Sequence, residues 1–319
     1  MNPFRQLIGQ PQGVELLQQA IAHNRIAPAY LFAGPPGVGR GLAAKCFSEL
    51  LLSLHLAEEK QILLRKRVAD GNHPDLYWVE PTYQHQGQLL TAKEAEETGV
   101  KRKAPPQIRI EQIRDITQFL SRPPLEASRC VVVIEAAETM TEAAANGLLK
   151  TLEEPGKATL ILIAPSADAL LPTLVSRCQK IPFYRLSQDN LKTVLGRLGY
   201  EQIVNDEEIL GLSQGSPGEG ITAWEQLQAI PFELRQKFKK FPATPLEVFD
   251  LAKIITKELD NSGQLWVMNY LQYSDWQKRQ NPIIVQKLER AKKQLLSYVQ
   301  PRLVWECLLL ELITLTSSP

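Results

Sequence analysis

The sequence predicts an α/β fold around a parallel sheet, followed by two helical domains. Three observations point there. Apolar strand-like runs alternate with helix-period segments up to residue 185, the order that βα units produce. One of those runs leads into a glycine-rich loop of phosphate-binding shape, Gly34-Pro-Pro-Gly-Val-Gly-Arg-Gly41. Beyond Phe183 the strand-like runs stop and only helical periodicity remains.

In chain order, helix patterns cover Gly13–His23, Leu42–Leu54, Ile110–Leu120 and Glu142–Leu152, with strand-like runs at Tyr30–Ala33, Leu76–Glu80, Cys130–Ile134, Thr159–Ala164 and Ile181–Phe183. Parallel strands covered on both faces read as continuous Val/Ile/Leu runs, and Cys130–Ile134 is one. Between them, Leu89–Pro106 carries Lys93, Lys101, Arg102, Lys103 and two prolines without periodicity, so it reads as an inserted mobile loop. After Phe183 come short helices, Gln188–Leu198 and Glu207–Leu212, and the turn-rich Gly215-Ser-Pro-Gly218. The resulting division is 1–185 for the α/β domain, 186–226 for a small helical domain and 227–319 for an all-helical domain. The last two helices, Ile283–Val299 and Arg302–Leu315, are separated by Gln300-Pro301, where proline acts as a break. Apolar residues cover most of the circumference of the final helix, which predicts that it is buried, within its own domain or against other subunits.

The loop has the frame of G-x-x-x-x-G-K-[ST], in which glycines let backbone N–H groups wrap phosphates, lysine reaches the β- and γ-phosphates and the hydroxyl ligates Mg²⁺. Gly34, Gly37 and Gly39 keep that frame, but Arg40 stands at the lysine position and Gly41 at the hydroxyl position. A guanidinium is larger and differently directed than an ammonium, and glycine offers a metal nothing. A hydrogen bond to a charged group contributes roughly 1.5–3 kcal/mol, so the two losses together predict much weaker nucleotide binding. The alternative is a plain Gly/Pro-rich turn, against which the strand before and the helix after it count.

A second site is altered in the same way. The run Cys130–Ile134 ends in Glu135-Ala136-Ala137-Glu138, where an ATPase would place an Asp-Glu pair. Glu135 remains available to a metal, and Ala136 stands where a carboxylate would orient the attacking water. A core strand running into a helix that starts with an acid explains Glu135 equally well.

Composition sets outer bounds. At 319 residues with 44% apolar content the chain can build two or three cores. The balance of 36 basic and 35 acidic residues, net +1, excludes a bulk field for nucleic acid, so any DNA contact is local. Cys46, Cys130, Cys178 and Cys307 show no C-x-x-C pairing and lie in apolar settings, which predicts buried thiols in a reducing compartment and no metal site. The N-terminus shows no apolar targeting segment and no run is long enough to cross a bilayer, so a cytoplasmic location is expected.

An ordered set of short segments runs through the chain: Leu7-Ile-Gly-Gln10, Ala29-Tyr-Leu-Phe32, His73-Pro-Asp75, Ile110-Glu-Gln-Ile-Arg114, Leu148-Leu-Lys-Thr-Leu-Glu-Glu-Pro155, Ser176-Arg-Cys178 and Pro301-Arg-Leu303 before a leucine-rich helix. With these, essentially the whole sequence resembles the delta-prime family of bacterial DNA polymerase III clamp-loader subunits, within the AAA+ superfamily. The resemblance implies an AAA+ α/β domain, a helical lid and a helical collar that joins subunits. It implies a hetero-oligomer with gamma/tau and delta subunits that acts on the sliding clamp and primer–template DNA. ATP is then held by the partners, and this chain is no ATPase by itself. Arg177, between Ser176 and Cys178, is by this match an arginine finger supplied in trans to a neighbour's ATP site. From spacing alone, Arg177 reads as an arginine pairing with an acid or with helix-end carbonyls, and Ser176 and Cys178 as turn and packing residues.

The sequence departs from that family's pattern in places. Residues 47–129 contain no cysteine, so the four-cysteine zinc module many members carry is not expected. The region that would hold it, Ser53–Gly71, reads as a charged, exposed helix. Ala164 is apolar where hydrolysing relatives place a polar sensor, and Gly215-Ser-Pro-Gly218 lacks the lid arginine. The competing readings are a gamma/tau-like ATPase that uses Arg40 in place of lysine, and a stand-alone DNA-binding module, which the near-neutral charge disfavours.

Overall fold

Five strands pair in parallel, each following a helix, and the central ones carry apolar runs that need cover on both faces. The computed structural model describes residues 2–54, 56–99, 105–239, 242, 244–297 and 299–316. The first part runs α1 (Pro11–Ala22), β1 (Ala29–Ala33), α2 (Arg40–Leu52), α3 (Glu58–Ala69), β2 (Leu76–Val79), β3 (Tyr83–His85), β4 (Gln88–Leu90), α4 (Ala92–Glu97), α5 (Ile110–Leu120), β5 (Cys130–Ile134), α6 (Glu142–Glu153), β6 (Ala158–Ala164), α7 (Pro172–Val175) and β7 (Gln179–Pro182). The sheet order is β2-β5-β6-β1-β7. Every residue of β5 and β6 is buried, whereas the edge strands carry Tyr77 and Trp78, or Gln179 and Lys180, partly or fully in solvent.

Register follows from alternation. Leu31, Val132 and Leu160 face α5 and α6, where Ile113, Ile116, Leu148 and Leu152 complete one core. Tyr30 and Phe32 point the other way, onto Phe47 of α2, with ring centroids 5.0 and 6.4 Å apart. The carboxyl ends of β1, β6 and β7 therefore converge where the chain leaves the sheet into the glycine loop, the position at which α/β sheets bind ligands.

Two expectations for this part need correction. Leu89–Pro106 is not a loop throughout: it contains the end of β4 and α4, whose capping box joins Thr91 and Glu94, with Glu94 Oε2 accepting from the Thr91 N–H at 2.7 Å. The T-x-x-E cap was legible, but the surrounding charge hid it. Lys101, Arg102 and Lys103 lie outside the described residues. The segment 53–71 does form a helix, α3, but it is not exposed all round, because Leu64 and Val68, one turn apart, are buried.

The chain divides into two compact units, 1–194 and 195–319. α8 (Gln188–Arg197) spans the division, and α9 (Glu201–Val204), α10 (Glu207–Ser213), α11 (Pro217–Ala229), α12 (Phe232–Lys239), α13 (Pro245–Glu258), α14 (Asn261–Arg279), α15 (Pro282–Leu296) and α16 (Pro301–Thr316) follow. The boundary expected near 226 falls inside α11, which starts at the Ser216 cap with Pro217 in its first turn. The second unit's core gathers Val248, Ile255, Leu288, Trp305 and Leu312. Trp305 is fully buried, and its Nε1–H donates to Gln264 Oε1 at 3.0 Å, so its one polar atom is satisfied.

α16 is buried on one face only. Val304, Trp305, Leu308, Leu309 and Leu312 pack inward against α13 and α15, while Leu303 is 50% exposed. Cys307 is exposed as well, which corrects its expected burial; Cys46 and Cys130 are buried and Cys178 is half-buried. An apolar composition does not choose a face; the neighbouring helices do. Among the described residues, no helix is long and apolar enough to cross a membrane.

Candidate functional site

The glycine loop keeps its backbone because packing or a positive φ leaves no alternative at three of its positions. A Cβ on Gly34 would lie 2.3 Å from the Phe183 carbonyl oxygen, while the Gly34 N–H donates to Ala164 O at 3.3 Å. Gly37 and Gly39 have φ of 72° and 100°, a region L side chains rarely adopt. Gly39 is also the N-cap of α2, and a Cβ there would meet Leu7 Cδ1 at 2.8 Å. Gly41 differs: a Cβ there would meet nothing within 4 Å. A hydroxyl side chain has room at this position, so packing does not explain its absence.

Arg40, in the first turn of α2, sits in the field of the chain's own acids. Its Nη1 is buried with no hydrogen-bond partner. Burial pulls the guanidinium below its usual range, and Glu138 and then Glu135 pull it back up. Glu135 in turn accepts the Trp78 Nε1–H at 3.0 Å, and Lys45 Nζ lies 5.7 Å from the centre of the Trp78 ring. Burial raises the Glu80 carboxyl, and Glu135 adds to the rise. Lys45, Trp78, Glu80 and Glu135 border an open cavity of about 460 Å³ along β2. Ala136 has φ 48° and ψ 52°, left-handed without being glycine, and Thr139 Oγ1 steadies it by donating to the Ala136 carbonyl at 2.7 Å. The loop thus has the shape of a phosphate cradle, but its residues do not fit Mg-ATP: Gly41 offers a metal no hydroxyl, and Arg40 carries a guanidinium where the compact ammonium of a lysine would reach the phosphates.

Several of the short segments prove to be staples that hold this frame. Gln10, 2% exposed, grips the exit of β7 from both ends of its amide: Nε2 donates to Tyr184 O at 2.7 Å and Oε1 accepts the Tyr184 N–H at 3.0 Å. The same Nε2 reaches the Val38 carbonyl inside the loop at 3.3 Å. Asp75 accepts backbone N–H groups of Leu125, Glu126 and Ala127 at 2.7–2.8 Å. His73 Nδ1 accepts the Asp75 N–H at 3.1 Å, and burial holds the imidazole pKa below its usual value, so the ring is neutral. Sequence reasoning marked these segments without finding their roles. A short polar residue such as Gln10 carries no signal of a partner 174 positions away.

Arg177 lies elsewhere, at the end of the short α7 before β7. Its Nη2 pairs with Glu153 Oε1 at 2.6 Å and its Nη1–H donates to Thr173 O at 3.0 Å. The side chain is 37% exposed and that of Glu153 is 52% exposed. Both partners named from spacing, an acid and a helix-end carbonyl, are therefore present. Ser176 Oγ donates to the Thr173 carbonyl at 3.0 Å, a turn role, and burial pushes the Cys178 thiol up to about 11, which leaves it un-ionised. Arg114, on α5, is exposed. The structure brings Gly34, Gly37, Gly39, Arg40 and Glu135 together and leaves Arg177 apart from them as a surface group.

Residues 9–187 match the family described as DNA polymerase III, delta subunit. Residues 189–312 match cyanobacterial DNA polymerase III delta prime, C-terminal domain. The chain belongs to the DNA polymerase III delta-prime family. It is 36% identical over 180 residues to DNA polymerase III subunit delta-prime of Bacillus subtilis (strain 168), which is 56% of this chain and 48% of that protein. It is also 36% identical over 197 residues to the Pseudomonas aeruginosa PAO1 subunit delta-prime, 60% of this chain and 54% of that one. The chain thus spans about half the length of these delta-prime relatives. Among solved structures, a DNA polymerase III gamma subunit-related protein from Thermotoga maritima aligns with TM-score 0.54 at 18% identity, over 95% of this chain and 99% of that one. The two share a fold, a parallel α/β unit followed by helices.

Proposed function

We propose that this chain is a non-hydrolysing clamp-loader subunit. It works in the cytoplasm with gamma/tau and delta subunits to place a sliding clamp on primed DNA, and it supplies Arg177 to a neighbour's ATP site. Its own loop serves as framework, ATP is held by the partners, and no zinc is used. The observation that supports the reading is a division within one fold: the cation of the loop, Arg40, is half-buried with an Nη1 that has no hydrogen-bond partner, while Arg177 stands at the surface.

Phosphoryl transfer spreads negative charge over the equatorial oxygens of the transferred group, and an arginine arriving in trans stabilises it by a factor of about 10³–10⁵ in rate. Assembly of the loader from this chain and its partner subunits, with ATPase measured for the parent and for Arg177→Ala, tests the reading. A rate reduced about 10³-fold is expected. Undiminished turnover by the mutant assembly, or rapid Mg²⁺-dependent hydrolysis by the purified chain alone, would refute it.

A further inference from the structure

Arg177 is not a free side chain. It is mounted on rigid supports and already held. Leu152, the residue before Glu153, is 3% exposed, and Leu174, whose carbonyl accepts the Arg177 N–H at 3.1 Å, is fully buried. Both belong to the same core under β5 and β6, so the ends of α6 and α7 are fixed relative to each other. From these supports Glu153 reaches Nη2 at 2.6 Å and Thr173 O reaches Nη1 at 3.0 Å. A guanidinium has five N–H donors in a planar fork; these two contacts use two of them. The other three are left to reach a ligand.

Holding matters for a group that acts only in a transition state. Rotamer freedom lost at the moment of reaction subtracts from what the charge contributes, and a side chain ordered beforehand avoids that loss. The carboxylate also stands at the C-terminal end of α6, where the helix dipole favours a cation beside it. We propose that Glu153 is a positioning residue for Arg177: it holds the guanidinium by one edge so that its remaining donors face a neighbouring subunit's triphosphate. This inference rests on Arg177 acting in trans.

The experiment uses the assembled loader and reads kcat and KM for ATP separately in four variants. Arg177→Ala is expected to lower kcat about 10³-fold. Glu153→Ala is expected to lower kcat about fivefold, the upper end for a half-exposed ion pair, with KM unchanged because the interaction acts on the transition state. Glu153→Gln, which keeps an acceptor for Nη2, recovers part of that loss. The double variant Glu153→Ala, Arg177→Ala is no slower than Arg177→Ala alone, because the carboxylate has nothing left to position. The thermal unfolding midpoint of the Glu153 variants stays at the parent value. A Glu153→Ala loader as fast as the parent or faster would overturn the inference while leaving the role of Arg177 intact, and so would a fivefold loss that persists in the Arg177→Ala background. A normal rate for Arg177→Ala would remove both readings together.

Discussion

The phosphate loop after β1 and the turn that carries Arg177 are opposites. The loop has an elaborate backbone enforced by Gly34, Gly37 and Gly39 and locked by Gln10, yet its two chemical positions hold Arg40 and Gly41. The turn is a four-residue helix with ordinary packing, yet it presents a charged fork at the surface. Backbone shape and side-chain chemistry are therefore separable. A cradle persists because many buried contacts depend on its path, and those contacts are indifferent to whether the loop binds anything.

Ways to break that comparison fall in order of expected effect. Loss of the Arg177 guanidinium gives the largest, about 10³-fold in ATPase of the assembled loader. Next comes restoring the loop. Arg40→Lys with Gly41→Ser returns two charge-assisted contacts of roughly 1.5–3 kcal/mol each, so isothermal titration with Mg-ATP should show affinity raised about 10²-fold or more over the parent. No gain would mean that the frame, and not only its chemistry, has been lost.

Two glycines of the same loop sharpen the contrast. Gly34→Ala drives a methyl group into the Phe183 carbonyl and should destabilise the first unit by about 3 kcal/mol in urea unfolding. Gly41→Ala, in open space within the first turn of α2, should be neutral or stabilise by about 0.5 kcal/mol, since alanine is the better helix former. Equal losses at both positions would contradict the packing assigned to each.

The smallest effect is a pH dependence that belongs to neither region. Burial lowers the folded-state pKa of His73, whereas the unfolded ring titrates near its ordinary value of about 6.5. Below that pH the unfolded chain takes up a proton that the folded chain refuses. The contribution is thus complete above about pH 6.5 and shrinks as pH falls, by at most about 1.4 kcal/mol per unit. Melting temperatures taken from pH 7.5 down to 5 should decline, and His73→Gln should flatten that decline.

Much of the first unit was legible because its signals are local. The run Cys130–Ile134 became β5 unchanged, and Ile110–Leu120 became α5, since five consecutive buried apolar residues and a strong 3.6 period leave little choice. The same locality explains the misses. Thr91 and Glu94 capped a helix inside a segment whose charges suggested a loop. Leu303 and Cys307 were apolar enough for burial, yet they line an open groove beside α15 instead of entering the core. At the site, the altered positions Arg40, Gly41 and Ala136 were readable because each is defined by distance along the chain from a glycine or a strand end. The partners of Gln10, Asp75 and Arg177 were not, because they come from remote segments.

The sequence by itself determined the α/β alternation, the glycine frame and the absence of a lysine and a hydroxyl from it, all properties of neighbouring residues that no packing can change. Only the tertiary structure decided that Arg40 Nη1 is buried without a partner, that Glu135 is taken up by Trp78, and that Arg177 is held by Glu153 at the surface. The physical reason is the range of the interactions. Backbone propensity acts over a few residues, whereas the orientation of a charged side chain is set by whichever groups the fold brings within about 4 Å.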